Sequence, residues 1–501
     1  MEEVIDKYKV EADGVIVNVS ITGGKGTIKK YKVTLLSFSE PTLALLDQVR
    51  QELITEVGIS TNEILDPNSI DKIKEKFKEK AFAVLTKYLP KIPEETKNYL
   101  TGRLLQEMLG LGTIEFLLND LNLEEVVINS IGEAVRVYHK VYGWLETNVN
   151  VENEAQIQNY ANVIARRVGR QINTLNPLLD AHLVTGDRAN AVLFPISKKG
   201  NTITIRKFAR DPWTVTDFIK NNTVTTEVMA LIWLATQYEL NVLISGGTAS
   251  GKTSFLNACL PFIPPNHRVI TIEDTSELQL PPYLYWTPLI TRLPNPEGKG
   301  EVSMQDLLIN SLRMRPDRIV LGEIRRKNDA QVLFEAMHTG HSVYATVHAD
   351  TIADTITRLV NPPIEVAENL LEAVSLNVVM FRDRRLGIRR TYQVGEYLAK
   401  GELKGGTITP NILYRWKADV DKIVEHSKSL RLFEELNRTT GMSLSEMKKD
   451  LETKQKILEW MVKNGVRQVN DVGKVIHDYY LDPDWVIKVV TQNKKPEELL
   501  K

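Results

Sequence analysis

Eight consecutive residues, Gly246-Gly247-Thr248-Ala249-Ser250-Gly251-Lys252-Thr253, have the types and spacing of a phosphate-cradling loop, G-x-x-x-x-G-K-[ST]. Glycines let a backbone close tightly on an anion, so that several N–H groups point inward. In such a loop Lys252 reaches the β- and γ-phosphates of a nucleotide, and the Thr253 hydroxyl ligates Mg²⁺. Residues Gly246 to Ser254 are therefore the predicted ATP seat. The flanks agree: 241–245 is a short apolar run that reads as a buried strand, and 254–260 can run as a helix. That helix would present its positive end to the same phosphates. Lys252 is expected to be exposed when no nucleotide is bound.

Two more apolar runs end in acid. Residues 269–272 lead into Glu273-Asp274, with Glu277 one turn later. Ligands of α/β sheets sit at the carboxyl ends of strands, which places Glu273 to orient or deprotonate water. Residues 319–322 lead into Glu323, the pattern of a Walker B strand without its more usual Asp, so Glu323 must do the Mg²⁺ or water work. Next come His338, His341 and His348, three of the eight histidines in the chain. They admit a zinc site, a hydrogen-bonded core role or a γ-phosphate contact. Residues 343–347 read as a strand, and positions seven apart on a strand face opposite ways. With no cysteine near, a γ-phosphate contact from His348 is the favoured reading.

Other elements must position these groups. Residues 1–90 read as an accessory region, with alternating strands at 15–21 and 31–36 about the turn Gly23-Gly24-Lys25-Gly26. Helical patterns follow over 42–57 and 70–88. The second interleaves Lys72, Lys74, Lys76, Lys78 and Lys80 with glutamates, as a solvated face or a docking face for a partner or anionic lipid. Residues 91–210 read as an α+β domain. It opens with a helix over 94–109 ended by Gly110, followed by strands at 125–128, 134–139 and 143–147. A helix over 155–168 precedes strands at 189–194 and 202–207. A linker, Ala209-Arg210-Asp211-Pro212-Trp213-Thr214, leads into a helix that Thr214 and Asp217 cap. In 211–400, apolar strands separated by helical segments predict a mostly parallel sheet covered on both faces. Strands at 388–396 and 408–416 then give way to helices. Residues 401–501 read as a strand pair and a helical subdomain, with a capping box at Ser443 and Glu446 and a stop near Gly465.

Composition excludes several classes. Among 501 residues the formal net charge is −1, which argues against a dedicated nucleic-acid binder. The single cysteine, Cys259, rules out a disulfide within the chain and a four-cysteine zinc module. The acidic start, Met1-Glu2-Glu3, does not read as a signal peptide. The longest apolar run, 228–235, is far short of a membrane span.

Four stretches resemble the Walker A, aspartate box, Walker B and histidine box of the type II/type IV secretion ATPase superfamily. They are Gly246 to Thr253, then Thr271-Ile272-Glu273-Asp274-Thr275 with Glu277-Leu278, and Leu312-Arg313 with Arg315-Pro316-Asp317 running on to Leu321-Gly322-Glu323-Ile324-Arg325. The fourth is Thr339-Gly340-His341-Ser342 with Ala345-Thr346 and His348-Ala349. Upstream, Asn176-Pro177-Leu178-Leu179-Asp180-Ala181, Gly186-Asp187-Arg188-Ala189-Asn190 and Ile205-Arg206-Lys207-Phe208 resemble its archaeal branch, which drives archaeal pili and the archaellum. The likeness covers about 100 to 400. It implies an α/β fold: a RecA-like phosphate-loop domain, a preceding α+β domain and C-terminal helices. It also implies a cytoplasmic homohexamer that hydrolyses ATP with Mg²⁺ at the inner face of the cell membrane. There it would dock on a polytopic platform protein and act indirectly on pilin-like subunits, with no nucleic acid. Arg188 and Arg206 match arginines that reach the nucleotide in that family. Arg325 could do the same or could only pair with Glu323. The alternative is a conjugation-type or nucleic-acid-translocating hexamer, against which the balanced charge counts.

Overall fold

The computed structural model describes residues 3–24, 27–36, 38–56, 70–183, 185–208, 211–295, 297–400 and 407–500. Lys25 and Gly26 of the expected turn, Val57 at the expected helix end, and Ala209 and Arg210 of the linker lie outside them, as do Met1 and Glu2. The chain divides into two units, Met1–Arg210 and Asp211–Lys501.

The first unit is built on a sheet with nine strands among the described residues: β1 (Glu3–Ala12), β2 (Val15–Gly23), β3 (Lys30–Thr34), β4 (Leu123–Ile128), β5 (Arg136–His139), β6 (Gly143–Thr147), β7 (Leu178–His182), β8 (Arg188–Val192) and β9 (Thr202–Arg206). Their order is β1-β2-β3-β6-β5-β4-β9-β8-β7. One face packs on the helices Ile114–Asn119 and Glu154–Arg167, and alternation decides which residues go there. Val15, Val17, Val19 and Ile21 of β2 are buried, while Ile16 and Asn18 are exposed. The sequence reading misses β1, whose alternating charges look like a solvated terminus. The expected boundary near 90 does not interrupt this sheet. β3 pairs in parallel with β6, Lys30 opposite Glu146 and Tyr31 opposite Thr147. Tyr8 and Tyr31 both donate hydroxyl bonds of 2.7 Å to the Asp120 carboxylate, which ties β1 and β3 to the segment before β4. The helices Glu40–Glu56, Ile70–Tyr88 and Glu94–Leu109 share a separate core that includes Leu53, Phe77 and Leu104.

The second unit holds β10 (Val242–Gly246), β11 (Arg268–Glu273), β12 (Tyr285–Ile290), β13 (Arg318–Leu321), β14 (Ser342–Val347), β15 (Leu376–Asp383), β16 (Ile388–Lys400), β17 (Thr407–Lys417) and β18 (Lys422–Glu425). Their order is β12-β11-β13-β14-β10-β15-β16-β17-β18. From β12 to β15 every pairing is parallel, and from β15 to β18 every pairing is antiparallel. β14 stands between the phosphate-loop strand and the acidic strand β13, the RecA-like arrangement that the sequence leads one to expect. Strands β10, β13 and β14 are buried at every position, as a sheet covered on both faces requires. The expected break at 400/401 falls between β16 and β17, which pair along their length within this one sheet. Nor do the tail helices form a core of their own. Leu444–Lys463 and Val469–Leu481 contribute Ile457, Leu458, Val475 and Ile476 to the cluster that also holds Val228, Leu231 and Trp233 of the helix Thr226–Gln237. An amphipathic helix this rich in apolar residues must cover something, and here it covers the nucleotide domain's own helix. Among the described residues no helix is long and apolar enough to cross a membrane.

Candidate active site at the strand ends

The loop after β10 follows a path that larger side chains would block. A Cβ on Gly246 would stand 2.4 Å from the Met380 carbonyl oxygen and 2.5 Å from Ser250 Oγ. Gly251, at φ 92°, is the N-cap of the helix Lys252–Cys259. Ala249 is left-handed at φ 59° in spite of its Cβ, a strain of about 1–2 kcal/mol. Gly251 brings no side-chain acceptor to the helix start, so the first N–H groups are left for a ligand. Ser250 Oγ is buried with no partner among the described residues. Uncapped N–H groups beside an unpartnered hydroxyl are what a phosphate chain would satisfy, so these residues fit the nucleotide. Thr248, Ala249 and Ser254 are exposed and Thr253 is half-buried.

Lys252 departs from expectation. It is only 8% exposed. Its Nζ donates to the carbonyls of Gly246 at 2.9 Å and Gly247 at 3.0 Å, and lies 3.4 Å from His348 Nδ1. The loop's own carbonyls hold the ammonium where phosphate oxygens would. Burial lowers its pKa, against the opposing pull of Glu323.

From Lys252 a chain of contacts runs along the strand ends. His348, just past β14, brings Nε2 to 3.3 Å from Glu323 Oε1. Glu323 Oε2 accepts from Arg325 Nη2 at 2.7 Å, and Arg325 Nη1 donates to Asp274 Oδ2 at 2.6 Å. The Thr291 hydroxyl closes on Asp274 Oδ1 at 3.1 Å. Burial and the Lys252 charge lower the His348 pKa against the opposing pull of Glu323, which favours the neutral imidazole. Those partners favour the tautomer with its proton on Nε2. The strand ends are pinned in line: Gly322 N donates to the Ile272 carbonyl, and Thr346 Oγ1 to the Gly322 carbonyl at 2.6 Å.

Glu273 ends β11 and is 3% exposed. Its carboxylate accepts from the backbone N–H groups of Glu277 at 3.0 Å and Leu278 at 3.2 Å. Burial outweighs these bonds and pushes its pKa up to about 7. A carboxyl that titrates near neutrality at a strand end has the property a general base needs.

Hard oxygen donors suit Mg²⁺, and Thr253 and Glu323 each carry such donors. Magnesium is commonly bound through one or two protein groups plus substrate phosphates, and this donor set fits that habit. Among the described residues no group of three or more His, Cys, Asp or Glu is placed to hold a metal. His341 sits at the opposite end of β14 from His348, where its Nδ1 lies near Thr339 Oγ1 and the Ala336 carbonyl.

Arg188 and Arg206 belong to the first unit, where they face each other across β8 and β9. The Arg188 fork grips Asp180, Nε at 3.1 Å and Nη2 at 2.7 Å. Sequence reasoning misses the frame behind the loop. Thr355 Oγ1 donates to Ser245 Oγ at 2.9 Å, Ser245 Oγ to Asn377 Oδ1 at 3.0 Å, and Asn377 Nδ2 to the Tyr397 hydroxyl at 2.7 Å. A lone Asn inside the apolar run of β15 is the signal that could have found it.

A family model for type II/IV secretion system proteins matches residues 146–388. An uncharacterized protein of Methanocaldococcus jannaschii is 36% identical over 77% of this chain and 70% of its own length. A Sinorhizobium fredii protein named for conjugal transfer is 31% identical over 58% of this chain and 85% of its own. Among solved structures, the VirB11 ATPase of the Brucella suis type IV secretion system matches 56% of this chain and 90% of its own, at 26% identity and a TM-score of 0.29.

Proposed function

We propose that this chain, which belongs to the type II/IV secretion ATPase superfamily, hydrolyses ATP with Mg²⁺ and turns the hydrolysis into work on a membrane-bound assembly. One observation carries the reading. Lys252, His348 and Glu323 are linked in series beside a loop whose uncapped N–H groups and unpartnered Ser250 fit phosphate, and Glu273 ends the strand next to that of Glu323. Residues 246–254 would hold the phosphates, and Thr253 with Glu323 would hold Mg²⁺, which when bound neutralises charge on the phosphates. Glu273 orients or deprotonates the attacking water. His348 sets its Nε2 3.3 Å from Glu323 Oε1 and keeps that carboxylate in place. Lys252 supplies a point charge to the terminal phosphates.

The finer reading is a homohexamer at the inner face of the membrane, docked on a polytopic platform protein and driving an archaeal type IV pilus-like filament or protein secretion. The motifs at 176–181, 186–190 and 205–208 and the 36% identical archaeal relative support it. In it, Arg188 and Arg206 act on hydrolysis. The purified chain should hydrolyse ATP in Mg²⁺ and stop in excess EDTA, with a rate per chain that rises with protein concentration. Absence of Mg²⁺-dependent hydrolysis at any concentration would refute the enzyme reading. A second reading, a conjugation-type motor, is favoured by the conjugal-transfer relative. It requires stimulation of turnover by DNA.

A further inference from the structure

Arg389 stands against the phosphate loop. β15 runs parallel to β10, Gly246 opposite Met380, and continues past the loop to its turn with β16. Arg389 follows that turn, opposite Arg382. Its Nε donates to the Ala249 carbonyl at 3.3 Å, and its Cδ lies 3.6 Å from where a Cβ on Gly251 would be. Its side chain is half-exposed, and none of its other N–H groups is engaged among the described residues.

The strand order fixes which end of a nucleotide lies here. Glu323 and His348 follow β13 and β14 on one flank of β10, whereas Arg389 is on β16, on the other. A nucleotide whose terminal phosphate lies toward Glu323 and His348 turns its α-phosphate and nucleoside toward the β15–β16 flank. We propose that Arg389 binds the α-phosphate of ADP and ATP in this site. The proposal rests on the nucleotide reading above. The guanidinium brings a fixed fork of donors and a positive charge, and charge-assisted bonds of this kind are about twice as strong as neutral ones. Its bond to Ala249 holds it at the loop's rim beside the left-handed residue, so the cation is in place before the ligand arrives. Lys252 has the other role, at the β- and γ-phosphates, so the two cations lie at opposite ends of the phosphate chain.

The test uses the full chain, with ADP binding by calorimetry and steady-state ATP hydrolysis for wild type, Arg389→Ala and Arg389→Lys. Arg389→Ala should raise the Kd for ADP and the KM for ATP each about tenfold, with kcat within about twofold. Arg389→Lys should recover part of the loss, because an ammonium keeps the charge without the fork. Competition by inorganic phosphate, which fills the loop without an α-phosphate, should stay within about twofold in both variants. An unchanged Kd for ADP in Arg389→Ala overturns the proposal. So does an equal loss for inorganic phosphate, which makes Arg389 a brace of the loop, or a loss of kcat alone, which moves it to the terminal phosphate. A wild-type chain that binds no ADP sinks the nucleotide reading itself, whereas wild-type binding with equal binding by Arg389→Ala sinks this proposal alone.

Discussion

ATP turnover should rise with pH through a midpoint near 7, and Glu273→Gln should abolish both the rise and most of the turnover. The Glu273 carboxyl is raised from 4.5 to about 7 by burial, with the N–H groups of Glu277 and Leu278 only partly offsetting it. At about 1.4 kcal/mol per pKa unit, ionising this group inside the fold costs about 3 kcal/mol as an order of magnitude. At 3% exposure, solvent screening calls for no discount. The sign follows from linkage. A group whose folded pKa lies above its unfolded value gives its full stability below the unfolded value, here 4.5, and loses it as pH rises through about 7. Glutamine cannot ionise. Its Oε1 can still accept from Glu277 and Leu278. Glu273→Gln should therefore match wild type in stability near pH 4.5 and exceed it by up to about 3 kcal/mol above pH 7. Denaturant unfolding at several pH values measures the gap, and turnover in Mg²⁺-ATP over the same range measures the rate limb. A wild-type rate that is flat in pH, or a stability gap that does not grow with pH, would refute a site carboxyl that titrates near neutrality. Full turnover by Glu273→Gln would leave the buried carboxyl a structural group only.

Three further outcomes follow from the same geometry. Lys252→Ala should abolish hydrolysis and weaken nucleotide binding. The loss of two hydrogen bonds to the loop, each worth about 1 kcal/mol net, is partly offset by removing a buried cation, so the melting temperature should move by a few degrees at most. Glu323→Gln should bind ATP and turn it over slowly, and because it removes the anion shared by His348 and Arg325 it should also raise the Mg²⁺ concentration needed for half-maximal rate. Arg188→Ala or Arg206→Ala should keep ATP affinity within about tenfold, roughly 1.4 kcal/mol, while losing most turnover; unchanged turnover in both would remove the arginines from the catalytic account.

The parts of the site that sequence makes legible are those fixed by local backbone chemistry. A glycine loop between an apolar strand and a helix has one physical use, and acid after an all-apolar strand marks the ligand edge of a parallel sheet. What it leaves out depends on packing between distant segments. The burial of Lys252 arises from carbonyls five and six residues away and from His348 across the sheet. The Ser245, Asn377, Thr355 frame joins three elements whose polar residues look incidental one at a time. Residue spacing also leaves Arg325 undecided between the nucleotide and Glu323. The structure shows both its terminal amino groups on carboxylates, Glu323 and Asp274, as an ion pair that joins two strand ends. The domain divisions at 90 and 400 follow changes of pattern in the chain, whereas the sheets continue past them, because unpaired strand edges are better paired than exposed.

The same contacts say where the site is rigid and where it must give. Behind the loop the hydrogen bonds are buried and side chain to side chain, and along the strand ends Glu323, Arg325 and Asp274 hold one another with bonds of 2.6–2.7 Å. These groups lose little freedom when a ligand arrives. Lys252 differs, since its partners are the loop carbonyls themselves. A phosphate chain offers it oxygens that share negative charge in place of neutral carbonyls, and charge-assisted bonds are the stronger. An ammonium drawn to those oxygens would give up Gly246 and Gly247, and His348 would then lose the cation beside its Nδ1. Its link to Glu323 remains. The neutral imidazole therefore joins the lysine that meets the ligand to the acid that would hold Mg²⁺, so a change at one is felt at the other through two contacts of 3.3 and 3.4 Å.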